Sequence, residues 1–103
     1  MTEQQFGALI EEKLLEVAEK QEQIYTEISE ELTFSDEEFL AFVETKILEG
    51  YVHFSKISNG LLDVFAKNFN DGAHQELYNI LMDSLTRTVE ALASMKEELE
   101  LVA

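Results

Sequence analysis

The stretch FSDEEF at residues 34–39 decides the fold, because it combines several independent signals for the start of a helix. The Ser35 hydroxyl is placed to accept a hydrogen bond from the backbone N–H of Glu38, and the Glu38 carboxylate can reach back to the Ser35 N–H. Phe34 and Phe39 occupy the two positions of a hydrophobic staple. The three acids of the stretch put negative charge at the positive end of the helix dipole. The sequence therefore predicts a helix that begins at residue 36.

Apolar residues on both sides of this start recur every three or four positions, the spacing of one face of an α-helix. Thr2 and Gln5 have capping-box spacing at the start of the first segment. The turn Asn70-Asp71-Gly72 separates the second segment from the third, with Asp71 as the expected N-cap. We expect helices over residues 3–31, 36–69 and 73–101.

The middle segment contains Asn59-Gly60, a dipeptide that usually marks a turn. Its apolar phase nevertheless continues unchanged from Ile57 through Leu61 to Phe65, which favours a continuous helix, kinked near Gly60, over two separate helices. Short connections join antiparallel neighbours. The expected fold class is therefore all-α, an antiparallel up-down-up bundle of three long helices that forms a single domain over residues 1–103.

Six of the seven Phe residues lie between residues 34 and 69, so the middle helix is expected to be buried on more than one side and to be the central element, screened by the two acidic outer helices. Its predicted core residues are Phe39, Val43, Ile47, Phe54, Ile57, Leu61 and Phe65. The third helix has strict four-three spacing from residue 81 to residue 102, which predicts a coiled-coil seam. The seam consists of Leu81, Leu85, Thr88, Leu92, Met95, Leu99 and Val102.

The chain has 22 acidic and 7 basic residues and a net charge of −15. This balance argues against binding to nucleic-acid phosphates or to anionic membranes, which needs clustered Lys and Arg. It favours a protein partner with a basic or apolar surface. The sequence contains no Cys and no apolar run long enough to span a membrane, and its polar, acidic start lacks the pattern of a secretory leader. We expect a cytoplasmic protein.

Candidate chemistry is sparse. Glu49 and His53 are four residues apart on one helix face, a spacing that a metal-binding pair can use. No further ligand has matching spacing, so a surface histidine beside a carboxylate is the preferred interpretation. His74 is expected in the first turn of the third helix, where it can touch Asp71. No nucleophile, catalytic residue, cofactor motif or metal site is predicted, and we do not expect an enzyme.

The predicted function is a protein–protein interaction module of the adaptor, chaperone or inhibitor type. Three slender helices offer a narrow core, whereas the apolar stripes of the second and third helices are wide, and excess apolar surface indicates association. We expect a symmetric homodimer. The candidate interface residues are Phe42, Tyr51, Phe54, Phe69, Leu92 and Met95.

Two alternatives remain open from the sequence. Carboxylates along a first helix of about 43 Å can imitate the phosphates of a nucleic acid, which would make the chain an inhibitor of a DNA- or RNA-binding protein. A metal-binding helical bundle built around Glu49 and His53 is the second alternative.

Overall fold

The computed structural model describes residues 1–30 and 35–102, with side chains described up to residue 99. It contains three helices: α1 (Glu3–Glu30), α2 (Asp36–Asn68) and α3 (Gln75–Val102). These bounds lie within two residues of the predicted ones. All three pairs of helices are in contact, and the rod measures 55 × 17 × 15 Å. The predicted bundle of three long helices is confirmed.

Contacts between helix ends establish the up-down-up order. The carboxylate of Glu3, at the start of α1, contacts His74, which immediately precedes α3. At the other end of the rod, the Tyr25 hydroxyl donates a 2.9 Å hydrogen bond to Glu98. Helices α1 and α3 are therefore parallel, and α2 runs antiparallel to both, which brings Phe69 against Phe6.

The cap of α1 forms both bonds of the predicted capping box, and the cap of α2 confirms the predicted bond to the Ser35 hydroxyl. The N–H of Thr2 donates to the Gln5 side-chain oxygen at 2.8 Å, and the N–H of Gln5 donates to the Thr2 hydroxyl at 3.1 Å. At the start of α2, Ser35 accepts a 3.3 Å hydrogen bond from the N–H of Glu38. The staple residue Phe34 lies outside the described residues.

The predicted N-cap of α3 is wrong. Asp71 accepts a hydrogen bond from the N–H of Ala73, two residues later, and so closes a turn instead of capping a helix. Gly72 supplies the positive φ of 79° that this turn needs. The helix begins at Gln75, and the carbonyl of His74 accepts from the N–H of Tyr78. The Asx turn at Asp71 competes with helical geometry and delays the start of α3 by two residues relative to the prediction.

Helix α2 is continuous through Asn59-Gly60, as the unchanged apolar phase indicated. Packing of the apolar stripe of α2 against α1 and α3 stabilises the helix across this dipeptide. The prediction of two separate helices is therefore excluded.

The core consists of two clusters along the rod. The first contains Phe6, Ile10, Leu61, Phe69, Leu77, Leu81 and Leu85, and the second contains Ile24, Ile28, Val43, Ile47, Leu92, Met95 and Leu99. In the second cluster the helices approach closely at Gly50. A Cβ at that position would lie 3.1 Å from the Ile24 side chain and 3.5 Å from the Leu92 side chain, so glycine is what the packing accommodates there.

The middle helix contacts both of its neighbours, but the expectation that it is buried on more than one side needs correction. Of its seven predicted core residues, Val43, Ile47 and Leu61 are buried. The other four are half-buried: Phe39, Phe54, Ile57 and Phe65. Two neighbouring helices cover one side of a helix, and the apolar stripe of α2 is wider than that side.

The predicted coiled-coil seam of α3 packs in the core of the chain. Leu81, Leu85, Leu92, Met95 and Leu99 are all buried against α1 and α2, and Thr88 is half-buried. The side chain of Val102 lies outside the described part of the chain. The four-three spacing of α3 therefore reflects packing against α1 and α2 within one chain.

Replacing Ser35 with Ala should lower the free energy of unfolding by about 1 kcal/mol, because the N–H of Glu38 loses its acceptor. Urea denaturation followed by circular dichroism measures this change. Ser55→Ala is the control, since Ser55 is exposed in the interior of α2 and Ala favours helix. Equal stability of Ser35→Ala and wild type would show that the cap contributes nothing.

Replacing Phe6 with Ala should lower the free energy of unfolding by about 3–5 kcal/mol, since it empties a buried position. Phe6 is 0% exposed, and its ring centroid lies 5.9 Å from that of Phe65 and 5.4 Å from that of Phe69. Leu15→Ala, at an exposed position of the same helix, should change stability by less than about 0.5 kcal/mol. A loss of similar size in both variants would contradict the assigned core.

Candidate protein interface on the middle helix

The outward side of α2 carries a weakly charged surface, which we call the α2 patch. It consists of the exposed residues Thr45, Leu48, Val52, Ser55 and Asn59. Their spacing of three or four residues places them along one side of the helix. Leu48 is 63% exposed, more than any other large apolar side chain in the described residues, and Val52 is 47% exposed.

The outer faces of the other two helices are acidic. The exposed residues of α1 include Glu11, Glu12, Glu19, Glu22 and Glu30, and those of α3 include Glu76, Asp83, Glu90, Glu97 and Glu98. Between Thr45 and Gly60, by contrast, no residue in the exposed class on α2 is acidic. The α2 patch is therefore where another protein can approach with the least cost of desolvating charge.

Ion pairs between α1 and α2 border the patch on one side. Lys46 Nζ lies 2.7 Å from Glu27 Oε2 and 3.5 Å from Glu49 Oε2, and Lys20 Nζ lies 3.8 Å from Glu49 Oε2. The hydrogen bond from Lys46 lowers the pKa of Glu27, and the same bond raises the pKa of Lys46. These side chains are partly exposed, so the pairs fix the register of the two helices more than they stabilise the fold.

The structure separates the six predicted interface residues into two groups. Phe69, Leu92 and Met95 are buried inside the chain, at 5%, 0% and 2% exposure, so in this structure they pack in the core and offer little surface to a partner. The first belongs to the cluster around Phe6, and the other two belong to the cluster around Ile24. Phe42, Tyr51 and Phe54 are half-buried and flank the core side of α2.

Sequence analysis missed Leu48 and Val52, the two apolar residues of the α2 patch. Each directly follows a residue of the predicted stripe, Ile47 or Tyr51, and periodicity assigns such a neighbour to the side of the stripe. The sequence feature that could have identified them is an apolar residue at a position where a solvent-exposed helix face normally carries a charged one.

The pair Glu49 and His53 is not assembled as a metal site. Glu49 contacts Lys20 and Lys46, and the buried Nδ1 of His53 makes no hydrogen bond with the described residues. No group of three or more His, Asp or Glu side chains in residues 1–30 and 35–99 is arranged to hold a metal ion.

A second polar cluster lies at the end of the rod where α1 and α3 begin. His74 Nδ1 lies 2.5 Å from Glu3 Oε1, and His74 Nε2 lies 3.1 Å from Asp71 Oδ1. The ring also packs edge-on against Phe69, with centroids 4.9 Å apart. The hydrogen bond with Glu3, together with the charges of Glu3 and Asp71, raises the pKa of His74. The cluster connects the first turn of α1 to the turn between α2 and α3.

Comparison with known proteins gives no match. No protein-family model, no curated protein and no solved structure is significantly similar to the chain. Among the described residues, no helix combines the length and the apolar character needed to cross a bilayer.

Stability should fall as pH rises through the raised pKa of His74. The folded-state pKa lies above that of the unfolded chain, so the protonated imidazole stabilises the fold at lower pH, and this contribution is lost as the ring deprotonates. We expect the melting temperature of wild type to decrease more than that of His74→Gln as pH rises above about 6.5, the ordinary pKa of a histidine.

The matched control is His53→Gln, which removes the other imidazole and leaves the contacts of His74 with Glu3 and Asp71 in place. Differential scanning calorimetry at several pH values gives the comparison. Parallel curves for wild type and His74→Gln would contradict a role for His74 in stability.

Proposed function

We propose that the chain is a protein-interaction module that self-associates as a symmetric homodimer through the α2 patch. The observation that carries the proposal is the exposure of Leu48 and Val52 on the helix side with the fewest acids. A two-fold axis would place the patch of one copy on the patch of the other, as in most homodimers.

The segregation of charge supports this arrangement. Two chains of net charge −15 repel each other, and an approach through the acidic faces of α1 or α3 would bring like charges together. An approach through α2 leaves both acidic faces in solvent. Thr45, Ser55 and Asn59 are small or uncharged, so the two helices can pack closely and still find hydrogen-bond partners for these side chains.

The half-buried residues beside the patch can add area to such an interface. Tyr51 and Leu48 line one cleft between α2 and α3, together with Lys96 and Glu44. Burial of apolar surface stabilises association by about 25 cal/mol per Å² before the costs of ordering are subtracted. We therefore retain Phe42, Tyr51 and Phe54 as candidate interface residues, and we assign the chain a binding role instead of an enzymatic one.

Nucleic-acid mimicry is the second candidate. The exposed acids of α1 at positions 11, 12, 19, 22 and 30 lie along a helix of 28 residues, with few bases among them. A row of carboxylates of this kind can occupy a basic groove. Mimicry does not use Leu48, so a test of the α2 patch separates the two candidates.

Sedimentation equilibrium at micromolar concentration tests the proposed dimer. We expect the mass of two chains for wild type, and a tighter dimer at higher salt because repulsion between the two chains is screened. Leu48→Glu should shift the protein to the mass of one chain, since it places a charge in the interface. Leu15→Glu is the matched control, because Leu15 is 59% exposed on the acidic face of α1, and it should leave the dimer intact.

Two results would refute the dimer. One is the mass of a single chain for wild type at both low and high salt. The other is equal dissociation by Leu48→Glu and Leu15→Glu, which would show that added negative charge acts on the whole protein and not on the α2 patch.

A further inference from the structure

The groove between α1 and α2 gathers most of the positive charge of this acidic protein. Four of its seven basic residues line it or form ion pairs across it: Lys13, Lys20, Lys46 and Lys56. The first three pair with carboxylates of the chain, and Lys56 forms no ion pair with the residues that the structure describes. The groove is therefore unlike the outer faces of α1 and α3, where acids predominate.

One end of this groove is an apolar cleft, which we call the Gly60 cleft. It is lined by Leu9, Lys13, Lys56, Ile57, Gly60, Leu61 and Val64. Its lining contains no acid, its walls are aliphatic, and two ammonium groups belong to its border. An apolar side chain with a neighbouring carboxylate has the chemistry that fits such a cleft.

The absence of a side chain at Gly60 leaves this cleft open, although packing within the chain does not require a glycine there. A glycine inside a helix costs about 1 kcal/mol relative to alanine. A Cβ at Gly60 would meet no atom within 4 Å, whereas a Cβ at Gly50 would press on Ile24 at 3.1 Å. The missing side chain at Gly60 leaves room at the surface for an atom group from outside the chain.

We infer that the Gly60 cleft, at one end of the α1–α2 groove, binds an amphipathic helix of another protein, one whose docking face carries apolar side chains flanked by carboxylates. The inference rests on the proposed function in that it takes the chain to be a protein-binding module. One apolar side chain of the partner would fill the Gly60 cleft, and its carboxylates would pair with Lys13 and Lys56.

The dimensions of the Gly60 cleft suit about two turns of a helix. Its lining residues on α2 extend from Lys56 to Val64, which corresponds to roughly 12 Å of helix, and they do not include Leu48 or Val52 of the α2 patch. Lys13 and Lys56 lie on different helices, so a partner needs two carboxylates to pair with both. A helix lying in a groove between two helices is a common mode of recognition and completes a four-helix arrangement.

The charges next to the cleft determine whether an acidic or a basic helix fits this site. The net charge of −15 attracts basic molecules over long distances, but a basic helix at the Gly60 cleft would face Lys13 and Lys56, and no acid lines the cleft. At physiological salt the screening length is about 8 Å, so the outer acids act weakly across the rod. Contacts inside the groove are screened less and favour carboxylates.

Selection from a display library of random helical peptides, at about 0.15 M salt, tests the inference without a known partner. We expect the full-length chain to select peptides with apolar residues at helical spacing and with net negative charge. Recovery of predominantly basic peptides would overturn the inference, and so would recovery of no binders.

The highest-affinity selected peptide is then synthesised and measured by isothermal titration calorimetry. Gly60→Leu fills the cleft with a good helix former and should weaken binding about tenfold or more. Gly7→Leu is the matched control, because a Cβ at Gly7 also meets open space and Gly7 lies one turn after Glu3, on the side toward His74. Equal affinities of the two variants would refute the site.

Lys56→Glu provides a second test that does not alter packing in the cleft. It breaks no ion pair with the described residues, and it should weaken binding of the peptide about tenfold. Arg87→Glu makes the same change in net charge on α3, in an exposed pair with Asp83, and should leave the affinity within about twofold. Similar losses in both variants would show a response to net charge and overturn the groove as the site.

The outcomes also separate this inference from the proposed dimer. A chain that sediments as a monomer and binds acidic peptides through the Gly60 cleft refutes the dimer and supports the groove. A dimer that depends on Leu48 but selects no acidic peptide supports the dimer and refutes the groove.

Discussion

Each helix of a three-helix bundle can bury only the side that faces its two neighbours, and this limit determines the surface of the whole chain. Helix α1 comes close to the limit, since its buried residues Phe6, Ile10, Val17, Ile24 and Ile28 form one narrow stripe and its exposed side carries many acids. Helix α2 exceeds it. Its aromatic residues are left half-buried and its outward side keeps Leu48 and Val52 in solvent. The candidate interface is therefore what remains of an apolar helix after the bundle has formed.

The features that were predictable from sequence are those set by local interactions. The capping residues Thr2 and Ser35 act within one turn of the chain, and the apolar phase across Asn59-Gly60 is a property of α2 itself. The division of the apolar residues of α2 between core and surface depends on where α1 and α3 lie around it. Periodicity gives the direction of a stripe but not the arc that two neighbours can cover.

The candidate sites were less predictable than the fold for the same reason. Lys13 and Lys56 are 43 positions apart in the sequence and line the same cleft because α1 and α2 are antiparallel. Leu92 and Met95 read as surface candidates because a four-three spacing is typical of coiled coils between chains, yet here it packs α3 onto α1 and α2. Asp71 has a side chain that can cap a helix, but its carboxylate accepts from the N–H of Ala73 and so forms an Asx turn instead.

The parallel arrangement of α1 and α3 gives the rod a direction. The contact of Glu3 with His74 and the bond of Tyr25 to Glu98 mark its two ends, so residue 3 and residue 99 lie at opposite poles of a body 55 Å long. Groups attached near residue 3 and near residue 99 of a single copy would therefore be held far apart. Two copies paired antiparallel across α2 would reverse this property, because the start of each chain would then lie beside the end of the other. Attachments at unlike termini would become neighbours, and those at like termini would be separated by the length of the rod.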